Sequence, residues 1–124
     1  RWIEQEVKGS VISILTTWVW TGSPYVVPSA MSKSGLNAMT QSLAAEWGKY
    51  GIRSNAICPG LIQTKFSKAL WSNESLLNQI NKELPAGRMA QPYEMSGLAV
   101  YLASSAGSYS TGGVYTADGG YMTM

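Results

Sequence analysis

The sequence predicts an α/β fold: three parallel strands with helices packed against them. Three observations carry this. Strand-like runs at 10–17, 52–58 and 112–120 alternate with helix-like segments, the pattern of a parallel sheet joined by right-handed crossovers. The segment between the first two runs places Leu36, Met39, Leu43 and Trp47 on one helical stripe. And three strands are few: a doubly wound sheet ordinarily has five or more, covered on both faces. The first strand would keep an apolar edge unpaired, so the pattern implies a missing half or a partner that supplies one.

The elements follow in order. "RWIEQEVKG" reads as the last turns of a helix stopped by Gly9, its start absent, so a piece of a longer sequence is expected. "SVISILTT" (10–17) is rich in β-branched and apolar residues, as in a strand buried on both faces. "WTGSPYVV" is expected to be a loop, punctuated by Gly22, Ser23 and Pro24. Pro28 suits a helix start, and the helix is expected from Ser29 to Tyr50 with Gly51 as its stop. "IRSNAIC" (52–58) is the second strand, ended by Pro59-Gly60. Helical pieces follow at Lys65–Trp71 and Glu74–Leu84, the second capped after Ser72-Asn73. A third main helix is expected over Tyr93–Ser104, and "GGVYTADGG" (112–120) is the last strand.

Composition narrows the function. The 124 residues carry a net charge of +2 with 13% charged residues, so no basic face for nucleic acid and no polybasic segment for a membrane surface are expected. No apolar run approaches the roughly 20 residues of a transmembrane helix. Cys58 is the single cysteine, which excludes an internal disulfide and fits a reducing cytoplasm. Histidine is absent, so no His-based triad, His metal site or His general base is available, and no metal is expected.

Several residues are candidates for chemistry, each with a plainer reading beside it. Ser29 and Lys33 stand one turn apart near a helix start; they are either a hydroxyl and an ammonium aimed at one ligand, or a capping serine and a solvated lysine. Pro59-Gly60, Ile62 and Thr64 follow a strand end, where open α/β sheets bind ligands; the alternative is a simple turn. Thr16 and Thr17 close the first strand, opposite the Ser29–Lys33 helix. The glycine pairs flanking the last strand read as structural, Cys58 as a buried small residue, and Trp47 and Trp71 as core or interface fillers. Of Trp18 and Trp20, one could face a pocket.

Together, "SAMSKSGLNAMTQSLAAEWGKYGIRSNAICPGLIQT" and "LAVYLASSAGSYSTGGVYTADGG" resemble the short-chain dehydrogenase/reductase superfamily in order, spacing and local motif. The resemblance covers essentially all of 1–124 and matches only the C-terminal half of that doubly wound Rossmann fold; the glycine-rich dinucleotide fingerprint has no counterpart in these residues. It implies an oxidoreductase using NADP or NAD, commonly a homo-oligomer (dimer or tetramer) joined through the helix that begins near Ser29. The family pattern has a serine or threonine, a tyrosine thirteen residues on, and a lysine four further; Thr16, Ser29 and Lys33 fall at those positions, with serine where the acid/base tyrosine would stand. "VVPSA", "TTWVWTG" and "SLAAEWGKYGIR" are most similar to the 2,4-dienoyl-CoA reductase branch, which has that serine. There the implied task is hydrogen-bond donation to a thioester oxygen, from a tyrosine at the position Trp18 holds here. The implied substrate is an acyl-CoA thioester, a conjugated enoyl or dienoyl. The implied cofactor contacts are Lys33, Pro59, Gly60, Ile62 and Thr64, with 61–85 as a substrate lid. Two other readings stay open: a sugar or alcohol dehydrogenase with an altered site, whose lids "TKFSKALWSN" resembles, and a non-catalytic fragment serving as an interaction or oligomerisation module.

Overall fold

The computed structural model describes residues 1–124. Three strands, β1 (Gly9–Ile14), β2 (Ile52–Pro59) and β3 (Val114–Ala117), form one sheet in the order β1-β2-β3, with both pairs parallel. Five α-helices accompany them: α1 (Trp18–Thr21), α2 (Val27–Trp47), α3 (Lys68–Trp71), α4 (Glu74–Glu83) and α5 (Ser96–Ala103). The α/β class with three parallel strands is therefore as the sequence predicts.

The differences have local causes. Residues 2–6 form a turn rather than a helix end, with Val7 N–H donating to Trp2 O at 2.9 Å. The expected loop after β1 contains α1, a single turn started by Thr17, whose carbonyl accepts from Trp20 N–H at 3.0 Å. Helix α2 begins two residues early because Pro28 fits its first turn, and it ends in a 3₁₀ turn over Gly48–Tyr50. The third main helix opens as a 3₁₀ turn over Pro92–Met95 before α5. Only Lys68–Trp71 of the expected Lys65–Trp71 helix forms, and β3 is four residues long, shorter than 112–120. Strand β1 is not buried on both faces: four of its residues are half-buried and Ile14 is exposed. It pairs only with β2, so its other edge is open.

β2 is the buried strand, with Ser54 to Cys58 inaccessible. Leu15, Ala56 and Cys58 form the centre of the core, with Leu36 of α2 and Val114 of β3 packed against them. Small residues at 56 and 58 let α2 lie close to the sheet. Beyond the strand Gly60 lets the segment after β3 approach: a Cβ there would stand 2.6 Å from the Asp118 Cα.

Polar residues lock the other end of β2. Buried Asn55 donates from Nδ2 to Ser110 O at 2.7 Å and accepts Gly113 N–H at Oδ1, 3.1 Å away. Arg53 donates to Leu102 O (2.7 Å) and Ser110 O (3.2 Å), satisfying a carbonyl at the end of α5 and one in the following loop. Where the loop after α4 turns into the Pro92 segment, Arg88 donates two hydrogen bonds to Glu94, at 2.7 and 2.8 Å, and Gln91 N–H donates a third at 2.7 Å. Those bonds, Arg88 first and the Gln91 amide second, pull the Glu94 carboxyl down to about 2.

Two outcomes follow for folding. Asn55→Ala leaves Gly113 N–H without its partner and Ser110 O with only its Arg53 bond, and should lower unfolding free energy by about 1–3 kcal/mol in urea titration. Glu94 has a folded pKa below its ordinary 4.5, so its stabilisation is complete above that value and lost as pH falls toward about 2. Glu94→Gln should flatten the fall of the melting temperature across that interval.

Candidate active site

Parallel pairing puts the carboxyl ends of all three strands on one edge, and the candidate residues gather there. β1 and β2 are in register from Gly9↔Ile52 to Ile14↔Ile57, and Leu15 N–H extends the ladder to Ile57 O at 2.8 Å. Thr16, Thr17 and α1 with Trp18 follow directly. Helix α2 returns antiparallel over the sheet, so its first turns, with Ser29 and Lys33, come back to the same edge. Lys33 reaches the strand end itself: Nζ donates to Ile14 O at 2.7 Å. Lys33 is therefore half-buried and anchored, not a freely solvated surface lysine.

Ser29 is not a helix cap. The N-cap position is Val26, which makes no side-chain bond, and the Ser29 hydroxyl has no partner within the chain. It is half-buried, as is Trp18, whose indole N–H is also unpaired. Of the two threonines closing β1, Thr17 is buried at 3% exposure and starts α1, while Thr16 stays half-exposed toward the edge. The strand end thus presents two hydroxyls, one indole N–H and one ammonium, with no carboxylate among them. This set donates hydrogen bonds to a carbonyl or anionic oxygen and offers no strong base.

The second group lies one strand over. β2 ends at Pro59, and Gly60 N–H donates to Ala117 O at 3.0 Å, tying the turn to the end of β3. Ile62 forms a one-residue parallel bridge with Ala90, and its own amide finds no acceptor within the chain. Thr64 is half-buried at the start of the 61–85 segment, which contains α3 and α4. Asn73 caps α4 as expected, its side chain accepting Leu76 N–H at 3.1 Å. An open amide, a threonine hydroxyl and the Lys33 ammonium on one edge suit the amide, hydroxyl and phosphate oxygens of a dinucleotide.

Two residues tied to this loop escape sequence reasoning. Ser67 bonds back to Ile62 and Thr64, and the Trp71 indole donates to Thr64 O at 2.9 Å. Trp71 is thus a hydrogen-bonding tryptophan, not a plain core filler. Trp47 is half-buried and lines a shallow groove with Trp2, Ile3 and Ile52. The serine three residues after Thr64 was the available signal, since such spacing lets a hydroxyl close a turn.

The family model described as enoyl-(acyl carrier protein) reductase matches residues 3–122. The chain belongs to the short-chain dehydrogenase/reductase superfamily. It is 40% identical over 122 residues to a probable 2,4-dienoyl-CoA reductase of Bacillus subtilis (strain 168), covering 97% of this chain and 48% of that protein. A gluconate 5-dehydrogenase from Burkholderia cenocepacia, solved with NADP and tartrate, superposes with a TM-score of 0.91 at 30% identity, over 98% of this chain and 48% of that one. A 4-hydroxyisoleucine dehydrogenase solved with NADH gives 0.95 at 29% identity, over 100% and 51% of the two chains. The chain thus spans about half the length of these superfamily relatives.

Cys58 adjoins this edge at the end of β2 but is fully buried, and burial with the nearby Asp118 charge pushes its thiol up to about 11. It should resist iodoacetamide at pH 8 in the folded protein and react on unfolding. Mass spectrometry of the alkylated peptide, with and without urea, checks this.

Proposed function

We propose that the chain forms the C-terminal half of a nicotinamide-dependent oxidoreductase that reduces a conjugated enoyl or dienoyl thioester. The observation that carries the reading is Ser29 beside the anchored Lys33: a hydroxyl stands where carbonyl reductases of the superfamily need a phenol. A serine hydroxyl is too weak an acid to protonate a carbonyl oxygen at neutral pH. It suffices where an oxygen needs only hydrogen bonds while charge builds on it. The 40% identical relative named as a dienoyl-CoA reductase supports the same branch.

NADP or NAD supplies the hydride when bound. In this reading Lys33 holds the nicotinamide ribose, and the Pro59-Gly60 turn brings the Ile62 amide and the Thr64 hydroxyl to the cofactor. The Trp18 indole N–H donates to the thioester oxygen, assisted by Ser29, while Thr16 shapes the same edge. The 61–85 segment closes over an acyl-CoA substrate. The outward face of α2, where Met31 is 70% and Met39 39% exposed, meets a second copy in a dimer or tetramer. A second reading, oxidation of a sugar acid, is favoured by the gluconate 5-dehydrogenase likeness; the missing tyrosine weighs against it.

The test is NADPH and NADH oxidation by the protein expressed from its whole reading frame, with a 2,4-dienoyl-CoA and, in the reverse direction, with gluconate. Lys33→Met should weaken cofactor binding about 10–100-fold through loss of a charged donor. Trp18→Phe should lower dienoyl-CoA turnover by roughly 10²-fold at unchanged cofactor affinity. Trp18→Tyr should keep or raise turnover. A parent inactive on dienoyl-CoA, with no gain in Trp18→Tyr, sinks the reductase reading.

A further inference from the structure

The loop leaving β2 is held at both ends. At its base Gln63 N–H donates to Ala90 O at 2.9 Å, and Ala90 N–H to Leu61 O at 3.0 Å. At its tip Ser67 folds back over Thr64. The Ser67 hydroxyl donates to Ile62 O and accepts Thr64 N–H at 3.0 Å. Ser67 N–H donates to Thr64 Oγ1 at 3.3 Å, and the Trp71 indole N–H to Thr64 O at 2.9 Å. The crest of the turn has no core of its own: Lys65 is exposed and Phe66 is 93% exposed. Hydrogen bonds, not apolar burial, fix its shape.

Counting protons shows what this leaves. A serine hydroxyl has one hydrogen; of the two carbonyls around Ser67 Oγ, Ile62 O is the nearer and Thr64 O, already held by Trp71, stands at 3.3 Å, so the proton goes to Ile62 O. In the contact between the two hydroxyls, 3.2 Å apart, Thr64 is therefore the donor. That separation is long for O–H···O, so this bond is weak. Every other polar group of Thr64 is engaged by the clamp. Its hydroxyl proton alone can turn to an outside acceptor while the scaffold stays bonded.

We propose that Ser67 and Trp71 are positioning residues that hold Thr64 so that its hydroxyl donates to an oxygen of the bound nicotinamide dinucleotide. The inference rests on the oxidoreductase reading and names residues that reading does not use. Ser67 fixes the Thr64 rotamer by donating its N–H to Oγ1 and leaves the hydroxyl proton free to turn; Trp71 fixes the carbonyl side of the same residue. Ordering is thus complete before the dinucleotide arrives, and the loop loses little freedom on binding.

The test uses the protein from its whole reading frame, with NADPH and NADH titrated by fluorescence and amide exchange followed by mass spectrometry. Ser67→Ala and Trp71→Phe should each raise the cofactor Kd about 5–10-fold, the worth of one neutral hydrogen bond. Cofactor KM should rise with them, kcat should change less than threefold, and exchange across 62–67 should accelerate. Ser67→Thr, which keeps the hydroxyl, should restore the affinity. If Ser67→Ala fails to fold, Trp71→Phe and Ser67→Thr carry the comparison. Faster exchange with Kd unchanged within twofold overturns the inference alone, as does unchanged exchange. A parent that binds neither dinucleotide overturns the oxidoreductase reading first, and this inference with it.

Discussion

Two parallel ladders meet on β2, and they decide where every candidate residue stands. Residues 52–57 pair with β1 and residues 56–59 with β3, so Ala56 and Ile57 are flanked by a strand on both sides. Because both pairings are parallel, the carboxyl ends of the three strands emerge on one edge, and so do the segments that follow them. Thr16 and Trp18 after β1, Ile62 and Thr64 after β2, and Asp118 after β3 share that edge for this reason alone. In its buried stretch, Ser54 to Cys58, Asn55 is taken up by Ser110 and Gly113, Ser54 Oγ has no partner, and the small Ala56 and Cys58 have Leu36 of α2 packed against them.

The candidate groups on this edge are hydrogen-bond donors, and the Asp118 carboxylate beside them is taken up by the Gly120 and Met122 amides. An ammonium tied to a strand-end carbonyl, an indole N–H, two hydroxyls and an open amide face the strand ends. In the proposed reductase such a set would stabilise negative charge developing on oxygen and contribute little to proton transfer at neutral pH. β1 offers one unpaired edge and mostly half-buried residues, with Ile14 exposed, and a lone open edge of this kind invites another strand. The chain spans about half of its relatives' length, and the proposed dinucleotide contacts on it are those of one side only.

Much of the fold was legible from pattern. The alternation of β-branched runs with the helical Leu36–Trp47 segment marks the parallel α/β class, although Met39 of the expected stripe is exposed and Thr40 is buried in its place, and Pro28, Asn73 and Gly51 mark element ends through backbone chemistry that acts over one or two residues. The misreadings have the same origin. Trp18–Thr21 is a single helical turn with no periodic stripe, and β1 looked doubly buried because apolar composition does not tell which faces will find a partner. Trp71 was read as a filler since a ring's bulk is visible in the sequence and its indole bond to Thr64 is not.

For the site, spacing determined which residues belong together. Ser29 and Lys33 share a helical face by the geometry of 3.6 residues per turn, and serine in the tyrosine position follows from counting along the chain. These relations are local, so the sequence alone carries them. What only the tertiary structure decided are contacts across long separations: Lys33 onto Ile14 O, Leu36 against Ala56 and Cys58, and Asn55 between Ser110 and Gly113. The Ser67 clamp belongs to neither kind. Its partners are three to five residues away, yet the loop that carries them is also pinned at its base to Ala90, beyond α4 in the chain. Hydrogen-bond direction depends on where a chain segment is held, and that is settled by packing rather than by residue identity.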